Sequence, residues 1–222
     1  MVALRSAWFA VVLGLLFLIP AAPLSGPSTP AIPEAPAAET IVRIHVASSE
    51  VANLGPGVEV IEAYDTFVLA RASGEAVARL SRRATVVAED TVTLHVNGYA
   101  FDTRGEVRVP PELAAPAHAS GSAYYLVQFL GPVKEDWRWK LESLGLRAVG
   151  YVANNAYVVR ATLPEIRAAE EIPEVQWIGP YHPAFRIAPD LLAATGTVTV
   201  KIITFGEERV GGVVASLAKM GF

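Results

Sequence analysis

The order of hydrophobic patterns between Tyr124 and Gly179 is what most limits the folds open to this chain. Tyr124-Tyr125-Leu126-Val127-Gln128-Phe129 reads as a strand. Val133, Trp137, Leu141 and Leu144 then recur at four, four and three, which is one face of a helix. Gly145 is placed to end that helix in the left-handed conformation. Leu146 to Ala161 is strand-like and broken at Asn154-Asn155. A second helix opens at Thr162-Leu163-Pro164-Glu165, with Thr at the cap, Glu three residues later and Pro tolerated in the first turn. Ile166, Ala169 and Ile172 face inward, Pro173 stops the helix, and Val175 to Ile178 is a last strand. Strand, helix, strand, strand, helix, strand predicts an α+β fold of the ferredoxin-like (βαββαβ) kind, with an antiparallel sheet and helices on one face.

The pattern recurs. A shift of 90 residues lays Phe67 on Tyr157, Tyr64 on Asn154, Glu75 on Glu165 and Val87 on Trp177. The earlier copy begins with the strand Ile41 to Val46, but a Gly55-Pro56-Gly57 turn stands where its first helix is expected. Val58 to Ile61, Phe67 to Ala70, a short helix opened by Ser73-Gly74-Glu75, and Val86-Val87 follow; Thr91 to Val96 extends the last strand or adds another. A shift of 76 lays Phe129 on Phe205, Leu141 on Leu217 and Gly145 on Gly221. This third copy predicts a strand over 197–205 and a helix through Val210, Val213, Leu217 and Met220. Repeats of this length mark tandem domains, because each holds a whole sheet. A strand and a helix cannot close such a core, so the third copy is completed by sequence beyond Phe222 or docks half-made on the second. The former, a longer parent chain, is the expectation.

The N-terminus adds a compartment. Arg5 precedes an apolar run from Ala7 to Ile19, followed by small residues and prolines. This has the form of a secretory signal peptide, and the run is shorter than the ~20 residues that span a bilayer. The predicted layout is therefore a signal peptide over 1–25, a Pro/Ala-rich spacer over 26–39, and unit one over 40–103. A linker over 104–122, unit two over 123–190 and a partial unit three over 197–222 follow. Of 222 residues, 52% are hydrophobic and none is cysteine, which excludes disulfides, zinc–thiolate sites and thiol nucleophiles. The net charge is −4 with scattered basic residues, so the chain lacks the footprint of a nucleic-acid binder. Membrane contact is expected only through the export signal.

A search for chemistry finds no constellation. His45, His95, His118 and His182 show no metal-ligand spacing. There is no G-x-S-x-G elbow, no Ser/His/Asp arrangement and no phosphate loop. No cofactor or metal is expected. Function is expected instead from surfaces. Tyr125, Val127 and Phe129 share one sheet face, and Tyr124, Leu126 and Gln128 share the other. With helices on one side only, the second face is left for a partner or for a neighbouring unit to cover.

Several runs carry a resemblance. These are Tyr125-Leu126-Val127-Gln128-Phe129, Gly131-Pro132-Val133, Gly150-Tyr151-Val152 with Asn154 to Arg160, and Val175-Gln176-Trp177-Ile178-Gly179-Pro180-Tyr181-His182-Pro183. Together they resemble the N-terminal prosegment region of secreted bacterial subtilisin-like serine proteases. The resemblance implies a chain that assists folding of a protease domain and inhibits it until cleaved. Its open sheet face would dock on the protease, and the extended Tyr181 to Ala188 would lie in the active-site cleft. The implied contact residues are Tyr124, Leu126, Gln128, Tyr181, His182, Pro183 and Phe185. The implied partner is a subtilisin-like catalytic domain in cis, beyond Phe222. The protease's own Asp, His and Ser motifs are missing, so this chain as it stands is expected to be non-catalytic. The alternative is a free-standing secreted binding or adhesion module of the same units.

Overall fold

The computed structural model describes residues 39–116, 121–206 and 209–221. The expected signal peptide and nearly all of the Pro/Ala-rich spacer lie outside the described residues. Among the described residues no helix is long and apolar enough to cross a membrane.

The protein is α+β. In chain order the elements are β1 (Glu39–His45), β2 (Val58–Ala63), β3 (Val68–Ser73), α1 (Gly74–Leu80), β4 (Thr85–Ala88), β5 (Thr93–Val96) and β6 (Tyr99–Asp102). Then come β7 (Ala123–Phe129), α2 (Glu135–Ser143), β8 (Arg147–Val152), β9 (Ala156–Ala161), α3 (Leu163–Ala169), β10 (Val175–Pro180), α4 (Pro189–Leu192) and α5 (Val210–Lys219). Two sheets run β2-β3-β1-β4 and β10-β7-β9-β8, with every neighbouring pair antiparallel. Numbering the strands within each sheet by their own sequence order gives one arrangement for both, 2-3-1-4.

Local chemistry places the breaks. Ser73 caps α1, its hydroxyl accepting from the Ala76 N–H at 3.2 Å. The Glu165 carboxylate accepts from the Thr162 N–H at 2.6 Å, closing the capping box of α3. Asn154 and Asn155 both sit at positive φ, 62° and 59°, as a tight β8–β9 hairpin requires. Gly145 ends α2 at φ 94°. Where unit one lacks its first helix, a 3-10 turn at Ser48–Asn53 leads into the Gly55-Pro56-Gly57 bend.

The sheets do not hang apart. One hydrophobic cluster joins Val127, Phe129, Trp137, Leu141 and Ile166 to Ile41 and Leu69 of the first sheet. The first sheet's other face packs Val42, Ile44, Val68 and Ala70 against Ala76 and Leu80 of α1. Polar groups fasten the seam. Trp137 is fully buried, so its indole N–H needs an acceptor; it donates to Glu62 Oε2 at 3.2 Å. Lys134 donates to Glu62 Oε1 at 2.8 Å and to the Ala63 carbonyl at 2.6 Å, and lies 5.0 Å over the Tyr64 ring. The Tyr64 hydroxyl, kept protonated by burial, donates to the Pro132 carbonyl. Burial alone would raise the Glu62 carboxyl, but Lys134, the Ala63 N–H and Trp137 outweigh it and hold it below the usual range. A second tie links Arg43 to Glu89 at 2.6 Å and Asn155 to the same carboxylate at 3.0 Å.

Of the two readings of Thr91 to Val96, the added strand is found: Thr93–Val96 pairs with β6 as a hairpin apart from the first sheet. One expectation needs correction. The stretch 197–205 forms no strand. Val198, Val200, Ile202 and Ile203 are exposed, and α5 buries no residue. Its alternation is that of a strand, but a ladder needs neighbours, and none of the described strands pairs with it. Phe205 docks at the margin of the cluster on the second sheet, stacking on Tyr124 at 4.9 Å.

Replacing Glu62 by Ala removes the acceptor of a buried indole and the partner of Lys134. The expected loss is about 2 kcal/mol in urea unfolding, against under ~0.5 kcal/mol for Glu142→Ala, which breaks only the exposed pair with Arg138.

Candidate functional site

The face of β10-β7-β9-β8 opposite the helices, left by the sequence for a partner or for a neighbouring unit to cover, is covered from within the chain. Leu126, Val152, Ala156 and Val158 form one cluster with Leu94 and Val96 of β5 and with Ala184 and Phe185. Tyr99, Phe101, Val107, Val109 and Leu113 pack around its margin. The hairpin β5–β6 therefore serves the second sheet, although it lies within the range assigned to unit one. Residues 107–115 of the segment assigned as a linker form a strap across the same face.

The hairpin turns at Asn97-Gly98, both at positive φ. The Asn97 side chain donates to the Phe185 carbonyl at 3.1 Å, tying the turn to the chain after β10. Asn154 donates to the Thr93 carbonyl at 2.9 Å, and His95 makes an isolated bridge to Ala153. Gln128 is wholly buried on this apolar face, so its amide needs partners. Its NH2 group lies 3.4 Å from the Thr93 carbonyl and 3.3 Å from the Asn154 carbonyl, and Thr103 Oγ1 is 3.3 Å from its oxygen. The amide fixes the hairpin's register on the sheet.

Apart from His182, which is buried and described below, the sequence-derived contact residues fall into two groups. Leu126, Gln128 and Phe185 are buried under the hairpin, strap and turn, and offer nothing to a partner in this conformation. Tyr124, Tyr181 and Pro183 are half-buried at one rim. Tyr181 to Ala188 is not extended: Pro183–Arg186 is a 3-10 turn whose Phe185 ring stacks on Phe101 at 5.5 Å. Burial of Phe185 outweighs the extended form that a cleft-bound segment would need.

His182 is the pivot of the strap. Its Nδ1 accepts from the Ala115 N–H at 2.9 Å, so the ring is neutral with its proton on Nε2. The ring meets Phe185 edge-on at 5.3 Å, and burial pushes its pKa below 6.5. Among the described residues no group of three or more His, Asp or Glu could hold a metal ion.

Trp177 accounts for the Trp-Ile-Gly order of β10. Its ring lies across the Gly179 backbone, where a Cβ would come within 2.1 Å of ring carbon Cζ2. The ring also meets Phe101 of the hairpin at 6.1 Å, edge to face.

Residues 94–182 match a domain family of unknown function, DUF8729. The matched stretch opens on β5 and closes at His182, so it holds the second sheet together with its covering hairpin and strap. No curated protein matches the chain, and no solved structure matches it.

The signal missed in sequence is Asn97-Gly98, the strongest short-range mark of a hairpin. It would have set β5 and β6 apart from β4.

Two outcomes follow from this geometry. His182 is held neutral in the fold and has a folded pKa below its unfolded value of 6.5. The unfolded chain therefore binds more protons as pH falls, and stability is full above 6.5 and declines below it. Urea midpoints from pH 7.5 to 5 should fall further for the wild type than for His182→Gln; equal slopes would remove the histidine from the strap. Separately, Gly179→Ala should expel the Trp177 ring, red-shifting tryptophan emission and costing about 2 kcal/mol.

Proposed function

We propose that this chain is the non-catalytic N-terminal prosegment of an exported subtilisin-like serine protease, built of tandem ferredoxin-like units. In this reading it assists folding of the protease domain and inhibits it. The observation that carries it is the recurrence of one strand order, 2-3-1-4, in two successive sheets of the same chain. The resemblance of the run from Val175 to Pro183 to such prosegments adds the protease. Binding the native protease more tightly than its unfolded chain would stabilise it by mass action, which is how a folding assistant works without chemistry.

The covered sheet face moves the contact elsewhere. Residues 197–203 are exposed, carry no regular structure, and place Val198, Val200 and Ile202 on alternate positions. Such a segment can add as a strand to a partner's edge, with backbone bonds giving affinity and alternate side chains filling pockets. In this reading it takes the cleft-binding role first expected of Tyr181 to Ala188.

The test is inhibition of a purified subtilisin by the 222-residue chain. Inhibition is expected at about 10 μM or below, weakened at least about tenfold by Val200→Asp with Ile202→Asp. A protease left fully active, and refolding no faster from acid in the chain's presence, would overturn the prosegment reading in favour of a free-standing binding module.

A further inference from the structure

A groove opens at the rim where β7 begins, β10 ends and the strap arrives. It has a volume of about 390 Å³, and its walls include Pro116, Tyr124, Tyr125, Pro180, Tyr181 and Arg186. That size is at the lower end for ligand pockets and suits a short segment rather than a folded surface. Phe205 stacks on Tyr124 but does not line the groove.

The walls have a definite chemistry. The Arg186 guanidinium lies 5.2 Å over the Tyr124 ring and 5.6 Å over the Tyr181 ring. The Tyr181 hydroxyl donates to the Phe185 carbonyl at 3.3 Å, which holds that ring in place. Burial raises the Tyr181 hydroxyl above its ordinary value, so it stays uncharged beside the cation. Among the described residues Arg186 forms no ion pair with a carboxylate. A guanidinium laid against two rings keeps its N–H edge for an acceptor from outside. The complement of such a site is an anion attached to an apolar body.

Tyrosine and proline walls select the shape of that body. Proline-rich segments hold an extended polyproline conformation before binding, so they lose little entropy on docking against aromatic rings. A carboxylate suits the fork of an arginine, which it can engage through two parallel hydrogen bonds. We propose that this groove binds an extended, proline-containing peptide segment bearing a carboxylate, with proline against Tyr124 and Tyr181 and the carboxylate on Arg186. The inference is independent of the prosegment reading, since it needs no protease.

Fluorescence anisotropy of a labelled hexapeptide amide, Ala-Pro-Ala-Pro-Glu-Ala, titrated with the 222-residue chain, tests it. A Kd of about 100 μM is expected. Arg186→Gln, at an exposed position, should weaken binding about tenfold, with circular dichroism checking that the fold is kept. The peptide with Gln for Glu should lose a similar factor, and one with Ala for both prolines should bind at least about threefold more weakly. No binding at 2 mM overturns the proposal, as do equal affinities for the Glu and Gln peptides or an unaffected Arg186→Gln. Binding that needs Glu but ignores proline overturns it too, leaving only a carboxylate site.

Discussion

An antiparallel sheet with helices on one side must still hide its other side where that side is apolar, and this requirement shapes much of the chain. The second sheet buries one face under α2 and α3 and the opposite face under the β5–β6 hairpin, the strap and the Pro183–Arg186 turn. The first sheet buries one face under α1 and lends Ile41 and Leu69 of the other to the core of the second. Both faces of the second sheet thus find their cover within the chain. What looks from strand patterning like an open docking platform is an interior.

Apolar burial is non-directional, so it cannot by itself seat a hairpin in one register. Buried polar groups supply the direction. Gln128 would be costly in a purely apolar layer; the Asn154 carbonyl of its own sheet meets it, and the Thr93 carbonyl does so only when the hairpin is correctly placed. Glu62 plays the same part at the seam between the sheets, where Trp137 and Lys134 converge on one carboxylate. His182 does so for the strap. Each is a single side chain whose isolation is expensive, and each joins elements far apart in sequence.

The elements legible in the sequence were those whose signals are local. The capping box at Thr162 and Glu165, the Gly145 terminator and the Asn154-Asn155 turn depend on neighbouring residues and were read correctly. The match of Glu75 to Glu165 foresaw α1 and α3 at equivalent places. Tertiary allocation was less legible. Alternation over Thr91 to Val96 says that a strand exists but not which sheet face it covers. Alternation over Val198 to Ile202 marks a segment able to be a strand, yet pairing is a property of neighbours. Gln128 was expected as a contact residue and is instead wholly buried, because the carbonyls that pin its amide come together only in the folded chain.

Covering the sheet face leaves a different set of groups for function. The rim keeps Arg186 with its aromatic bed, and residues 197–203 keep an unpaired backbone and exposed β-branched side chains. These two features lie on opposite sides of α4 in the sequence, and Phe205 brings the second back onto Tyr124 of the first. Drawing 197–203 into a partner as an added strand would pull on Phe205, and Tyr124 would then lose one of its stacked neighbours. Occupancy of the groove and engagement of the exposed segment therefore act on one tyrosine ring, and any energetic coupling between them must appear equally in both affinities.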